Sequence, residues 1–155
     1  MSNTASSSGV MAGKKGLIMG VANDRSIAWG IAAKLAEQGA ELAFTFQGEA
    51  LQKRVEPLAA SVGSHLVMPC DVTDEASMDA TFDTLKEKWG SLDFVLHAIA
   101  YSDKEELKGG YVDTSRDNFA RTMDISVYSF TDVARRAAAM MNDGGSMLTL
   151  TYYGA

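Results

Sequence analysis

A chain of 155 residues, 46% hydrophobic and 22% charged, suits one domain large enough to bury a substantial core. Its net charge of −6 argues against nucleic-acid and anionic-membrane binding, which rely on basic surfaces. The lone Cys70 rules out an intramolecular disulfide and a cysteine-based metal cluster, and no apolar run approaches the roughly 18 residues of a membrane span.

Residues 1–13, MSNTASSSGVMAG, lack the apolar centre of a signal peptide and are expected to form a disordered, Ser-rich tail, with Met11 as an alternative start. Residues 14–155 are expected to form one domain in a reducing, cytoplasmic setting. The first strand is expected over Gly16 to Met19, ending at Gly20. Ser26 is a good N-cap type for the helix that follows, whose residues Ile27, Ile31 and Leu35 recur at the spacing of one buried face. Gly39 stops it. Glu41 to Phe46 reads as strand two, and Glu49 to Ser61 as a helix that Pro57 should kink or break.

Strand three is expected over His65 to Met68. Thr73 or Asp74 then caps a helix with Met78, Phe82, Leu85 and Trp89 on one face, ended by Gly90. Leu92 to Ile99 reads as strand four, followed by a polar loop over residues 100–113. A long helix capped by Thr114 or Ser115 should run to about Met141, where Asn142-Asp143-Gly144-Gly145 stops it. Ser146 to Thr151 reads as strand five. Short apolar strands alternating with amphipathic helices indicate an α/β fold with a parallel sheet covered on both faces. A Rossmann-like, doubly wound sheet of order 3-2-1-4-5 is the expectation. A flavodoxin-like order, 2-1-3-4-5, uses the same elements.

Ligands of such sheets sit at the carboxyl ends of the strands. At strand one, Gly20 permits a tight turn, and the N–H groups of Ser26 and Ile27 at the helix start suit a pyrophosphate. Gly30, one turn in, would allow close helix–strand packing. The standard G-x-G-x-x-G pattern is absent. Gln47, after strand two, is either a partner for adenosine ribose hydroxyls or a solvated loop residue. Asp71-Val72 either receives the adenine edge or begins a helix cap. Ala98-Ile99-Ala100 offers bare backbone past which a cofactor could run. All these positions share one edge of the expected sheet, and their joint occurrence points to a dinucleotide.

Other conspicuous residues read as structural. His97 lies in an apolar strand and is expected to be a satisfied core histidine, whereas His65 should be half-exposed. Two histidines without carboxylate or cysteine spacing make no metal site. Cys70 reads as a buried, inert thiol. Arg135-Arg136 and Lys104-Glu105-Glu106 read as solvated surface. Ser26, Ser102 and Ser129 lack an evident His/Asp partner set, which disfavours nucleophilic hydrolysis.

GVANDRSIAWG at Gly20–Gly30 resembles the nucleotide loop of bacterial enoyl-acyl-carrier-protein reductases, divergent members of the short-chain dehydrogenase/reductase superfamily. ELAFTFQ at Glu41–Gln47, CDV at Cys70–Val72, HAIA at His97–Ala100, DISVYSF at Asp124–Phe130 and LTLTYYGA at Leu148–Ala155 extend the resemblance from about Lys14 to the last residue. It implies hydride transfer from NADH to Cβ of a trans-2-enoyl thioester carried on acyl carrier protein, with enolate charge developing on the thioester oxygen. It assigns Gly20, Ser26 and Ile27 to the pyrophosphate region and Gln47 to the adenosine ribose. Asp71 and Val72 fall to adenine, Ile99 and Ala100 to the nicotinamide half, and Ser102 to substrate. Tyr152 matches the first of two active-site tyrosines, either transferring a proton or packing at a strand end.

The family's second tyrosine, and the lysine seven positions after it, fall beyond Gly154-Ala155. The 155 residues are therefore expected to be an N-terminal portion with weak or no turnover, since that tyrosine stabilises the developing enolate. The resemblance also implies a homo-oligomer, usually a tetramer. NADH is expected over NADPH, because no arginine directly follows Gln47, although Lys53 and Arg54 are near. Two other readings are a nucleotide-binding module that catalyses nothing and a different short-chain reductase acting on a carbonyl. HAIA in place of the usual NNAG speaks against the latter.

Overall fold

The computed structural model describes residues 9–153. Five strands, β1 (Lys15–Met19), β2 (Glu41–Phe46), β3 (Leu66–Pro69), β4 (Leu92–His97) and β5 (Met141–Thr149), form one sheet of order β3-β2-β1-β4-β5. Every neighbouring pair is parallel. The pairing of β1 with both β2 and β4 is the doubly wound order and sets aside the flavodoxin-like alternative.

Alternation along the strands sends successive side chains to opposite faces and divides the core in two. Leu17, Met19, Ala43 and Val95 face α3 (Glu75–Trp89) and α5 (Ser129–Ala138), meeting Met78, Phe82, Leu85, Val133 and Ala137. Ile18, Leu42, Phe44, Phe94 and Leu96 face α1 (Ile27–Glu37) and α2 (Glu49–Ser61), meeting Ala28, Ala32, Val55 and Ala59. The expected stripe on α3 is buried at Met78, Phe82 and Leu85 and half-buried at Trp89, whose indole N–H donates to Glu41 at 2.8 Å.

Several expectations need correction. On α1 the fully buried residues are Ala28 and Ala32, while Ile27 is 69% exposed, because small side chains let the helix approach the sheet closely. Gly30 plays no part in that approach: a Cβ built on it meets nothing within 4 Å. Pro57 does not break α2, which runs unbroken over Glu49–Ser61. His65 is exposed. Arg136, far from being solvated, has a side chain only 7% exposed, held by Glu75, Asp79 and Asp132.

The long helix after the polar loop is a single rod with a π turn, Asp124–Tyr128, set between α4 (Arg116–Met123) and α5. Ser115 caps it, accepting from the Asn118 N–H at 3.1 Å. The Asn142–Gly145 stretch lies inside β5 as an irregularity, since Leu92 pairs Met141 while Phe94 pairs Ser146. The Asp93 carboxylate secures it, accepting from the Lys15 N–H at 2.8 Å and the Asn142 amide at 3.0 Å. Hydrogen bonding to Asn142 and then to the Lys15 N–H holds this carboxyl below the usual range.

The tail expected over residues 1–13 falls largely on residues 1–8, outside the described residues. Gly9 to Gly13 form turns, the Met11 N–H donates to the Gln38 carbonyl at 3.0 Å, and Met11 packs against the core. Among the described residues no helix is long and apolar enough to cross a membrane.

Candidate functional site

The carboxyl ends of β1 to β4 open into one cleft of about 380 Å³. Gly20 and Val21 form its floor after β1, Gln47 follows β2, Asp71 and Val72 follow β3, and Ile99 and Ala100 follow β4. The cofactor positions expected at these four strand ends are thus brought together. Ser26 and Ile27 are not among the lining residues. They stand at the start of α1, where Ser26 is the N-cap residue but its side chain caps no helix N–H. Its hydroxyl instead donates to the Asn23 carbonyl at 2.5 Å and accepts from the Ala22 N–H at 3.4 Å, which braces the loop.

Gly20 is required by geometry. Its φ is +103°, and a Cβ there would stand 2.0 Å from the Ala98 carbonyl oxygen. The chain after β1 therefore passes against the chain after β4, where the Ala98 N–H donates to the Met19 carbonyl at 2.9 Å.

Gln47 and Asp71 act as a pair. The Gln47 amide donates to Asp71 Oδ2 at 3.0 Å, and Asp71 Oδ1 accepts from the Thr73 N–H at 2.9 Å and the Thr73 hydroxyl at 2.7 Å. The two Thr73 bonds, with a smaller contribution from Gln47, hold the Asp71 carboxyl below the usual range against the opposing effect of burial. With its amide N–H engaged, Gln47 keeps its carbonyl oxygen to accept from a hydroxyl. Asp71 combines the two readings left open for it: it orders its own turn and faces the cleft.

Arg121 and Tyr101 add a charge and an aromatic ring to the cleft. The Arg121 guanidinium lies 4.8 Å from the centroid of the Tyr101 ring, and both line the cleft. Arg121 is the only basic side chain and Asp71 the only acidic one among the lining residues. Sequence spacing carried no signal for Arg121, because the fold alone places this helix beside the strand ends.

Ser102 lies beside the cleft without lining it, bonded to the Asn118 amide and the Thr122 hydroxyl, each at 3.2 Å. Tyr152 is 89% exposed and does not line the cleft, so it is not packed at the strand end. Cys70 lines the cleft wall but is buried, and burial raises its thiol pKa, which suits an inert thiol.

Ser129 has a histidine neighbour but no His/Asp set: its hydroxyl lies 2.7 Å from His97 Nε2. The other ring nitrogen faces the Thr149 hydroxyl at 3.0 Å, not a carboxylate, and His97 and Ser129 are both fully buried. They form no nucleophile. Among the described residues no group of three or more His, Cys, Asp and Glu side chains is placed to hold a metal.

A doubly wound parallel sheet with a glycine turn after β1 and a cleft across four strand ends defines a Rossmann-like domain. The family model described as enoyl-(acyl carrier protein) reductase matches residues 20–155, and the chain belongs to that family. It is 70% identical over 151 residues to enoyl-[acyl-carrier-protein] reductase [NADH] 1 of Rhizobium meliloti, covering 97% of this chain and 56% of the relative. The crystal structure of FabI from Candidatus Liberibacter asiaticus is 58% identical with a TM-score of 0.91, over 93% of this chain and 56% of that one. The Anaplasma phagocytophilum reductase, solved in complex with NAD, is 59% identical with a TM-score of 0.90, over 94% and 56%. The chain thus spans about half the length of the relatives it matches.

Proposed function

We propose that this chain is the dinucleotide-binding part of an NADH-dependent enoyl-acyl-carrier-protein reductase of fatty-acid biosynthesis. One observation carries the reading: Gly20, Gln47, Asp71, Val72, Ile99 and Ala100 converge on a single cleft within a fold whose relatives bear that name. The residues suit the cofactor. The turn at Gly20 brings bare backbone to the cleft floor, and the Gln47 carbonyl oxygen can accept from an adenosine ribose hydroxyl. Asp71 has a lone pair left for the adenine amine, and Arg121 supplies positive charge for the diphosphate. Ser26 and Ile27, outside the lining of the cleft, stand at the start of α1, a helix end whose N–H groups suit a diphosphate that extends past Gly20. When bound, NADH would supply a hydride from nicotinamide C4 to Cβ of the enoyl thioester, and a proton taken up at Cα would complete the reduction. Ile99 and Ala100 form the wall against which the nicotinamide half is oriented, with Ser102 on the substrate side.

The pairing of Gln47 with Asp71 also supports NADH over NADPH. A 2′-phosphate would face an amide oxygen and a carboxylate, both acceptors, with no guanidinium directly after Gln47. The reading includes the cytoplasm as location and acyl-carrier-protein-bound enoyl chains as substrate. It also includes a homo-oligomer, supported by exposed Phe119, Met123, Val127 and Tyr128 along α4 and the π turn, with the tetramer implied by the resemblance. Binding without rapid turnover is favoured for residues 1–155 themselves. Tyr152 is 89% exposed, and the second tyrosine and the lysine implied by the resemblance are not among these residues.

Titration of the chain with NADH and NADPH, followed by nicotinamide fluorescence, tests the reading. Saturable binding that is tighter for NADH is expected, with slow oxidation on adding a crotonyl thioester. Absence of NADH binding refutes the site, tighter NADPH binding refutes the specificity, and oxidation at the rate of a complete enzyme refutes the impairment.

A further inference from the structure

His97 is fully buried although it lies in an otherwise apolar stretch of β4. Its ring packs on Phe130 with centroids 5.4 Å apart, and both ring nitrogens are engaged. The direction of each bond follows from proton counting. Ser129 has one hydroxyl hydrogen, and it is committed to the Ile125 carbonyl at 2.6 Å, since two acceptors would otherwise face each other at that distance. The Ser129 oxygen must then accept from His97 Nε2, at 2.7 Å. A neutral ring protonated at Nε2 leaves Nδ1 as acceptor, so the Thr149 hydroxyl donates to it at 3.0 Å. Burial lowers the basicity of this ring, which favours the neutral form.

The resulting chain runs in one direction, from the Thr149 hydroxyl to Nδ1, from Nε2–H to the Ser129 oxygen, and from the Ser129 hydroxyl to the Ile125 carbonyl. It joins three elements. Thr149 closes β5, His97 closes β4 directly before the cleft residues Ala98 to Ala100, and Ile125 lies in the π turn and lines the opposite side of the cleft. A π turn carries one more residue than an α turn and disturbs the regular ladder, so an extra donor to a carbonyl within it stabilises the irregular geometry.

We propose that His97 is a positioning residue: through Ser129 it sets the distance between the β4 wall and the Ile125 wall of the cleft, and through Thr149 it ties both to β5. The role of the cleft as a dinucleotide site rests on the reading above, but the hydrogen-bond chain does not. A merely apolar core residue would leave this width to packing alone, whereas directional bonds at both ends of a rigid ring hold it to a fixed value.

Long-range proton–nitrogen spectra of the ¹⁵N-labelled chain, recorded near neutral pH without ligand, should show the His97 ring protonated at Nε2 only. Protonation at Nδ1, or at both nitrogens, overturns the assignment. Ser129→Ala and His97→Phe should each shift the Ile125 methyl resonances and weaken NADH binding about threefold to tenfold, and His97→Gln, which keeps a donor and an acceptor, should recover part of the loss. If His97→Phe fails to fold, Ser129→Ala, which removes a single oxygen, decides. Unshifted Ile125 methyl signals in a folded Ser129→Ala variant overturn the proposal, as does unchanged NADH affinity. If the unaltered chain binds no NADH, the dinucleotide reading fails separately, and the tautomer with the Ile125 shifts then decides the positioning role.

Discussion

Two glycines ten residues apart make opposite demands on the same substitution. At Gly20 an alanine must adopt a φ of +103°, a region that costs an L-residue roughly 1–2 kcal/mol. Its Cβ would also stand 2.0 Å from the Ala98 carbonyl oxygen, far inside van der Waals contact. Relief requires β1 and β4 to part where the Ala98 N–H bonds the Met19 carbonyl at 2.9 Å, which forfeits about 1 kcal/mol more. Gly20→Ala should therefore destabilise the chain by about 2–4 kcal/mol, the sum of these costs with some residual strain. It should also weaken NADH binding, because Ala98 to Ala100 move with the strand. Gly30 lies inside α1, where a Cβ meets nothing within 4 Å, so Gly30→Ala should stabilise by about 0.5–1 kcal/mol. Urea unfolding followed by circular dichroism, together with NADH titration, measures both. A neutral Gly20→Ala, or a Gly30→Ala as damaging as Gly20→Ala, would refute the steric reasoning.

The remaining predictions concern charge. The Asp71 carboxyl is held below its ordinary value, so its contribution to stability is present above the ordinary carboxylate range and is lost as pH falls through the depressed folded value. The difference in melting temperature between the unaltered chain and Asp71→Asn should shrink over that acidic interval, and a difference that stays constant there would exclude Asp71 as its source. Arg136→Met strips the partner from Asp132, which is only 4% exposed, though Arg135 still reaches it at 2.6 Å. A loss of about 2 kcal/mol is expected in urea unfolding, below the usual cost of breaking a buried pair because Arg135 remains. Arg136→Met/Asp132→Leu should recover most of it, and a double variant no better than the single one would show that the guanidinium's packing, not its charge, is what α5 needs.

How far the sequence could be read depended on whether a feature was local. The doubly wound order was legible because apolar strands alternate with amphipathic helices, and right-handed crossovers leave few ways to arrange them. Gly20, Gln47, Asp71 and Ile99 were legible for the same reason: each lies within two residues of a strand end, so the topology alone brings them to one edge. What lay hidden depended on contacts across the chain. Arg136 looks like surface charge beside Arg135, and only the packing of α5 on α3 shows that one guanidinium turns inward to Glu75 and Asp79. Ile27, in step with Ile31 and Leu35, looked buried, but the sheet accepts the smaller Ala28 and Ala32 and leaves Ile27 to solvent at the helix start. Arg121 reaches the cleft only because the helical rod folds back beside the ends of the strands. The π turn within that rod has no periodic signature, yet it places Ile125 in the cleft wall and Ser129 against His97. Local pattern therefore accounts for the floor of the cleft, along the strand ends. Its far wall and the bonds that brace it come from residues whose neighbours in space are distant in sequence, so the width of the cleft is the property that mutation of His97 or Ser129 should alter while leaving the sheet order intact.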